Sequence, residues 1–228
     1  PGGARVALGF IVSLEHYEMF QPPGATIPVT LPGGFGRGPY PDFRSWSHRE
    51  YGNRVGIFRL LETFERHGLR ATAAMDAGVA TTRPEIVEHC LARQWEIAAH
   101  GNAVTRVLSS SLSEADERAE ISSALAAIER ATGRRPAGWH GPEYGESART
   151  PAILAGCGVQ YVLDWPNDEL PYEMTTPAGP LLSLPMVADF DDVFAHWYRK
   201  LTMQRWVRSI ADALDTLLAD GVTQPRMM

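Results

Sequence analysis

The sequence predicts an α/β fold with a mainly parallel β-sheet. The first apolar run, residues 6–12, is continuous rather than alternating, which is typical of a strand buried on both faces. Further short apolar runs alternate with amphipathic helical patterns, as expected for βαβ units. No glycine-rich phosphate motif follows the first run, which counts against a nucleotide-binding fold. A closed or nearly closed β/α barrel and an open sheet both remain compatible with this pattern.

The individual elements follow from local signals. Gly68 ends a helix that starts near Arg49, Pro84 opens the next helix, and Ser113 begins a capping box ahead of a long helix that runs to Gly133. The other predicted helices cover about residues 148–155 and 203–219. The predicted strands cover about residues 6–12, 71–75, 95–99, 137–139, 159–163 and 181–187.

Length and composition restrict the class of protein. The chain of 228 residues fits a single catalytic domain, residues 1–228, and its formal net charge is −6. The absence of a long basic run counts against nucleic acid or an anionic membrane surface as a partner. No apolar run is long enough to span a bilayer and no signal-peptide pattern opens the chain, so we expect a cytoplasmic protein that does not bind membranes.

A long loop rich in proline and glycine is predicted at about residues 21–48. Loops of this length without their own periodicity are usually functional, often as a lid or a binding loop. Its aromatic side chains are also candidates for a contact with a second copy of the chain, which would make the protein a homo-oligomer.

Three candidate catalytic residues follow predicted strands. Glu15 and His16 come soon after the first strand, and a partly desolvated carboxylate beside an imidazole is suited to activating water as a general base. His100 directly follows the strand at residues 95–99. His16 and His100 are also the candidate metal ligands. A metal would need further ligands, so we expect no cofactor, with a divalent ion such as zinc as the open alternative.

Candidate substrate-binding residues come from two kinds of segment. One is the start of the helix after the long loop, where guanidinium groups are suited to holding a carboxylate or polarising a carbonyl. The other is formed by two strand ends that combine aromatic and hydrogen-bonding side chains, as small-molecule sites do. The candidates are Arg49, Glu50, Tyr51, Arg54, Trp139, His140, Asp164, Trp165 and Asp168.

Five segments together resemble the polysaccharide deacetylase superfamily, and more narrowly its branch related to metal-independent allantoinases and cyclic-imide hydrolases. They are residues 12–18 (VSLEHYE), 49–56 (REYGNRVG), 95–101 (WEIAAHG), 133–139 (GRRPAGW) and 164–168 (DWPND). They occur in the order found in the family and cover nearly the whole chain. The resemblance implies a distorted, incomplete (β/α) barrel of the polysaccharide deacetylase type and hydrolysis of carbon–nitrogen bonds other than peptide bonds.

The chain departs from the deacetylase pattern at four places. One is residues 139–142 (WHGP), which correspond to the family's Arg-x-Pro segment but lack its arginine. Glu15 and His16 occupy the positions of two aspartates, one a catalytic base and one a metal ligand. His100 matches the first of two family histidines, but Val104 occupies the second position. The family's last strand carries a histidine acid, and the sequence ends apparently inside that strand, so we expect this acid beyond Met228.

The leading hypothesis is therefore a hydrolase acting on an amide, cyclic amide or ureide bond of a small molecule. In this hypothesis Glu15 activates water, while His100 and His16 orient it or stabilise the oxyanion. Two alternatives stay open. One is a metal-dependent deacetylase of N-acetyl sugars or polysaccharides. The other is a non-catalytic binding protein of the same fold, which the loss of the second histidine motivates.

Overall fold

The computed structural model describes residues 3–20 and 43–228, together with positions 25 and 41. Its strands form a seven-stranded sheet and a separate two-stranded pair. In chain order the strands are β1 (Val6–Ala7), β2 (Ile11–Leu14), β3 (Thr72–Met75), β4 (Glu96–Ala99), β5 (Gly138–Trp139), β6 (Tyr161–Val162), β7 (Tyr172–Thr176), β8 (Gly179–Ser183) and β9 (Arg226–Met227). The large sheet has the order β2-β3-β4-β5-β6-β8-β7, and β1 pairs separately with β9. All pairings are parallel except that of β7 with β8.

The helices cover the connections between the strands. They are α1 (Phe43–Tyr51), α2 (Ile57–Arg66), α3 (Ala77–Thr82), α4 (Pro84–Ala92), α5 (Glu114–Thr132), α6 (Thr150–Gly156) and α7 (Met203–Asp220). A π-helical turn, Gly52–Gly56, joins α1 to α2. The side chain of Ser113 accepts a hydrogen bond from the Asp116 amide at the start of α5, and Gly133 ends that helix in the left-handed conformation at φ 72°.

The predicted α/β class and the incomplete barrel are confirmed. Within the described part of the chain, β2 and β7 are the two edges of the large sheet, so its strands do not close into a full barrel. The strands are short and rich in alanine, and Ala73, Ala74, Ala98 and Ala99 are fully buried. Small side chains allow the helices to pack closely on the sheet. No helix among the described residues is long and apolar enough to cross a bilayer.

Several boundaries differ from the sequence predictions. The predicted first strand is two strands, because the chain leaves β1 before it joins the large sheet as β2. The predicted loop at 21–48 falls largely outside the described residues, but its end is wrong, since α1 already begins at Phe43. The sequence analysis also missed α3 and β7. A six-residue helix is too short for clear periodicity, and β7 is stabilised mainly by its antiparallel partner β8.

Candidate active site

Neighbouring strands end in register and deliver polar residues to one edge of the sheet. Leu14, Met75, Ala99, Trp139 and Val162 form one row of paired residues across β2, β3, β4, β5 and β6. The residues that follow this row are Glu15, Asp76, His100, His140 and, one position later, Asp164. Parallel sheets place their functional groups at the carboxyl ends of the strands for this topological reason.

Glu15 lies at the centre of this edge, between two cationic groups. One of its carboxylate oxygens is 3.4 Å from Nε2 of His100, and the other is 3.5 Å from a guanidinium nitrogen of Arg49. Burial acts to raise the pKa of Glu15, but the hydrogen bond and charge of His100 and the charge of Arg49 outweigh it. The pKa therefore lies below its usual value, and Glu15 is a carboxylate at neutral pH.

His100 is buried and is held at both ring nitrogens. Its Nδ1–H donates to the backbone oxygen of His140 at 2.6 Å, which directs Nε2 toward Glu15. Burial acts to lower the pKa of His100, but the hydrogen bond and charge of Glu15 overcome this effect and raise it. Glu15 and His100 thus form a partly buried ion pair, and the side chain of Glu15 remains about one third exposed to solvent, at 31%.

His140 and Asp164 form a second pair behind the first. The His140 ring stacks on the His100 ring with centroids 5.0 Å apart, and its Nδ1–H donates to Asp164 at 2.8 Å. The same carboxylate oxygen accepts the Gly141 amide at 2.7 Å. Burial and the charge of His100 lower the pKa of His140 to about 3, so its ring is neutral and fixed as an Nδ1–H donor.

The π-helical turn holds Glu15 from the other side. Asn53, which is buried within this turn, donates to the backbone oxygen of Glu15 at 2.9 Å. Glu50, which is also buried, accepts a weak hydrogen bond from Asn53 at 3.5 Å and pairs with Arg83 at the start of α4. Single π-helical turns occur often at functional sites because the extra residue redirects side chains. Glu50 therefore contributes to the site through support rather than through direct exposure to substrate.

His16 does not point toward the Glu15–His100 pair. Its ring packs against Gly78 of α3, where an added Cβ would be 2.5 Å from the His16 Cβ. Glu50, Glu18 and Arg83 are its charged neighbours, and burial lowers its pKa. Its backbone amide donates to the buried carboxylate of Asp76 at 2.5 Å. The two neighbouring side chains therefore contact different elements, Glu15 reaching His100 and His16 packing on α3.

The side chains present do not fit a metal site. Among the described residues, no three His, Cys, Asp or Glu side chains come together in an arrangement that could hold a metal ion. His16 and His100, the candidate ligands from the sequence, lie in different surroundings, with His16 against α3 and His100 against Glu15. Within the described part of the chain, His16 and His100 therefore do not share a metal site.

The remaining sequence candidates fall into three groups. Trp139 is fully buried in the hydrophobic core beneath the site. Trp165 is partly exposed at the edge of the site and donates to Glu146 at 3.2 Å. The third group, Tyr51, Arg54 and Asp168, does not contact Glu15. Tyr51 and Arg54 are exposed on the helical segment. Asp168 accepts hydrogen bonds from the amides of Glu169 and Leu170 in an exposed turn.

Sequence reasoning missed several groups near the pair. Asp76 caps α3 and has a pKa raised to about 7, chiefly by burial. Glu143 and Tyr144 lie in the loop after β5 and both adopt positive φ, at 54° and 56°. Such strained conformations in residues other than glycine concentrate at functional sites. The only sequence signal for the loop residues was their position after a predicted strand end, since their conformation depends on tertiary contacts.

The chain is similar in sequence and in fold to known proteins. The family model for polysaccharide deacetylase matches residues 50–162. A probable polysaccharide deacetylase from Pseudomonas aeruginosa PAO1 is 26% identical, with a TM-score of 0.88 over 100% of this chain and 77% of its own. Puue allantoinase is also 26% identical, with a TM-score of 0.85 and the same coverage of both chains. Among curated proteins, none matches the chain significantly.

The matched segment includes three of the five strand-end residues described above. Residues 50–162 contain Asp76, His100 and His140, and the structural similarity extends over the whole chain. Just under half of the chain matches the polysaccharide deacetylase family model, and the whole chain is similar in structure to a probable polysaccharide deacetylase and to an allantoinase.

Proposed function

We propose that the protein hydrolyses an amide-type carbon–nitrogen bond in a small cyclic amide or ureide, with Glu15 as the base that activates water. The superfamily and the similarity to an allantoinase make it a hydrolase of carbon–nitrogen bonds other than peptide bonds. The observation that carries the residue assignment is the ionised, partly exposed Glu15 carboxylate between His100 and Arg49.

The first step requires a proton acceptor next to bound water. Glu15 meets this requirement because its lowered pKa keeps it ionised, and its 31% exposed side chain is accessible to a water molecule. As water attacks the substrate carbonyl, Glu15 takes the proton of the water. The hydroxyl oxygen forms the new bond to the carbonyl carbon, and the carbonyl oxygen becomes the oxyanion.

The second requirement is stabilisation of the oxyanion. The two groups suited to this role are His100, whose pKa is raised by its pairing with Glu15, and the guanidinium of Arg49. Fixed cationic donors at a developing negative charge are typically the largest contribution to acyl-transfer catalysis. Collapse of the tetrahedral intermediate then breaks the carbon–nitrogen bond, and the nitrogen leaves with the proton that Glu15 accepted.

We expect a small substrate rather than a polymer. Tyr144 packs edge-on against His140 at a centroid distance of 5.0 Å, which limits the space beside the pair. The alternative of a metal-dependent deacetylase is disfavoured by the donor set, in which the position of the second family histidine is the buried Val104. A cytoplasmic location and a homo-oligomeric state remain predictions from the sequence.

A substrate panel tests the proposed function. Purified protein is incubated with allantoin, a hydantoin, a cyclic imide, a formamide and N-acetylglucosamine oligomers, with and without a chelator, and ring opening or acetate release is measured. We expect turnover of a cyclic ureide or imide that the chelator leaves unchanged. Turnover of the N-acetyl oligomers alone, lost on chelation and restored by zinc, would instead show a metal-dependent deacetylase. Binding without turnover of any compound would show a binding protein.

A further inference from the structure

A second carboxyl group, that of Glu146, lies next to Asp164. Glu146, in the loop before α6, lies close enough to Asp164 for each carboxyl group to affect the pKa of the other. One Glu146 oxygen also accepts the indole N–H of Trp165 at 3.2 Å. Asp164 in turn accepts the Nδ1–H of His140 and the Gly141 amide on its first oxygen. A continuous series of contacts therefore connects Glu146 to the neutral ring that stacks on His100.

The oxygens between the two carboxyl groups have no other partner. Oε2 of Glu146 and Oδ2 of Asp164 are both buried and, among the described residues, neither has a hydrogen-bond donor. Two carboxylates facing each other without a donor would repel and would each pay a desolvation cost. A single proton between these two oxygens satisfies both of them and removes the repulsion.

The surroundings decide which carboxyl holds the proton. Asp164 receives two N–H donors, which favour its ionised form. Glu146 receives only the indole donor and also faces the carboxylate of Glu117 from α5, whose charge is paired with Arg149. Burial and the neighbouring Asp164 charge raise the pKa of Glu146 to about 8. The proton therefore belongs to Glu146.

We propose that Glu146 is a positioning residue that carries a proton at neutral pH and donates it in a hydrogen bond to Asp164, which fixes His140 behind the Glu15–His100 pair. Without this donor, Asp164 can turn away from His140 to reach solvent. The backbone oxygen of His140 holds Nδ1 of His100 at 2.6 Å, so a displaced His140 also misdirects His100.

A pair of substitutions tests this role. Glu146→Gln keeps the shape and an N–H donor toward Asp164 but does not titrate, whereas Glu146→Ala removes the donor. In infrared difference spectra, we expect the wild type to show a protonated-carboxyl component that is missing from Glu146→Gln and that titrates near pH 8, apart from the component of Asp76, which titrates near pH 7. The matched control is Glu114→Gln, which changes an exposed carboxyl on α5.

The kinetic part of the test rests on the proposed function, but the infrared part does not. With a substrate from the panel, we expect Glu146→Ala to lower kcat by about 10–100-fold, the usual effect of losing a residue that orients a reacting group. KM should stay within about twofold, and Glu146→Gln should restore kcat and keep it above pH 8, where the wild type declines.

Two results would overturn the proposal. The first is a protonated-carboxyl band that is identical in the wild type and Glu146→Gln, which would show that the proton lies elsewhere. The second is a parallel alkaline decline in the wild type and Glu146→Gln, which would show that Glu146 does not set the pH response. If no substrate is found, the infrared comparison still decides the location of the proton, so the two proposals fail separately.

Discussion

The two ring nitrogens of His100 make different contacts, and two substitutions separate them. Asparagine places its amide nitrogen near the position of Nδ1 and can still donate to the backbone oxygen of His140, but it does not reach Glu15. Glutamine places its amide nitrogen near the position of Nε2 and can still contact Glu15, but it leaves the His140 oxygen without a donor. The contact of Nδ1 with the His140 oxygen is buried and 2.6 Å long, and the contact of Nε2 with Glu15 is partly buried and 3.4 Å long.

The structure gives a different expected effect for each variant. His100→Gln leaves a buried carbonyl unpaired, which costs about 1–3 kcal/mol of unfolding free energy. For a chain of this size, each kcal/mol corresponds to about 2–4 °C in Tm, so we expect a decrease of about 2–12 °C. His100→Asn keeps that hydrogen bond, so its decrease should be smaller. Its main effect is on Glu15, whose pKa rises because burial is then opposed mainly by Arg49.

The pH dependence follows from the signs of the two shifts. The lowered pKa of Glu15 contributes stability that is present above its usual pKa and is lost as the pH falls through the folded-state value. The raised pKa of His100 contributes stability that is present below about pH 6.5 and is lost as the pH rises through the folded-state value. The ion pair therefore stabilises the wild type most between about pH 4.5 and pH 6.5, where both contributions are fully present.

Urea unfolding and pH–rate profiles measure these effects. For His100→Asn, we expect the acid limb of kcat/KM to move to higher pH and the stability advantage of the wild type to shrink at acid pH. His100→Gln should show the larger loss of stability at neutral pH. Equal stability of the two variants, together with an acid limb that stays in place in His100→Asn, would refute the division of roles between the two nitrogens.

Three further predictions concern the residues around Glu15. Asn53→Ala removes the buried donor to the Glu15 backbone and should cost about 1–3 kcal/mol in urea titrations, and an unchanged midpoint would contradict this support. Gly78→Ala should destabilise by about 1–3 kcal/mol because its Cβ would overlap His16, whereas helix propensity alone predicts a gain. Arg49→Met should raise the pKa of Glu15 and move the acid limb of kcat/KM upward, and a fixed limb would exclude this coupling.

The sequence could predict that the site residues meet at one edge of the sheet, because this depends on local patterns. Glu15, His100, His140 and Asp164 each follow a short apolar run, and parallel strands bring such positions to one edge. Which of these side chains contact each other depends on the register of the strands, which the structure supplies. The orientation of His16 depends on its packing against Gly78 of α3, a contact between distant segments that the sequence does not indicate.

Other parts of the site depend on contacts between distant segments. The Glu50–Arg83 pair joins α1 to α4, and nothing near Glu50 in the sequence indicates this partner. The π-helical turn that directs Asn53 inward has the same sequence pattern as an ordinary helix. Glu146 is one of several carboxyl groups in polar loops, and its neighbours Asp164 and Glu117 come from other elements.

Replacement of the candidate base tests the central claim most directly. Glu15→Gln keeps the size of the side chain but cannot take a proton from water, whereas Glu18→Gln is a matched control three residues away, where the carboxylate is held by Thr105 and Arg106. With the best substrate from the panel, we expect Glu15→Gln to lose at least about 10²–10⁴-fold in kcat. Circular dichroism should show both variants folded, and Glu18→Gln should retain most of its turnover. Turnover by folded Glu15→Gln at the wild-type rate would contradict the assignment of Glu15 as the base.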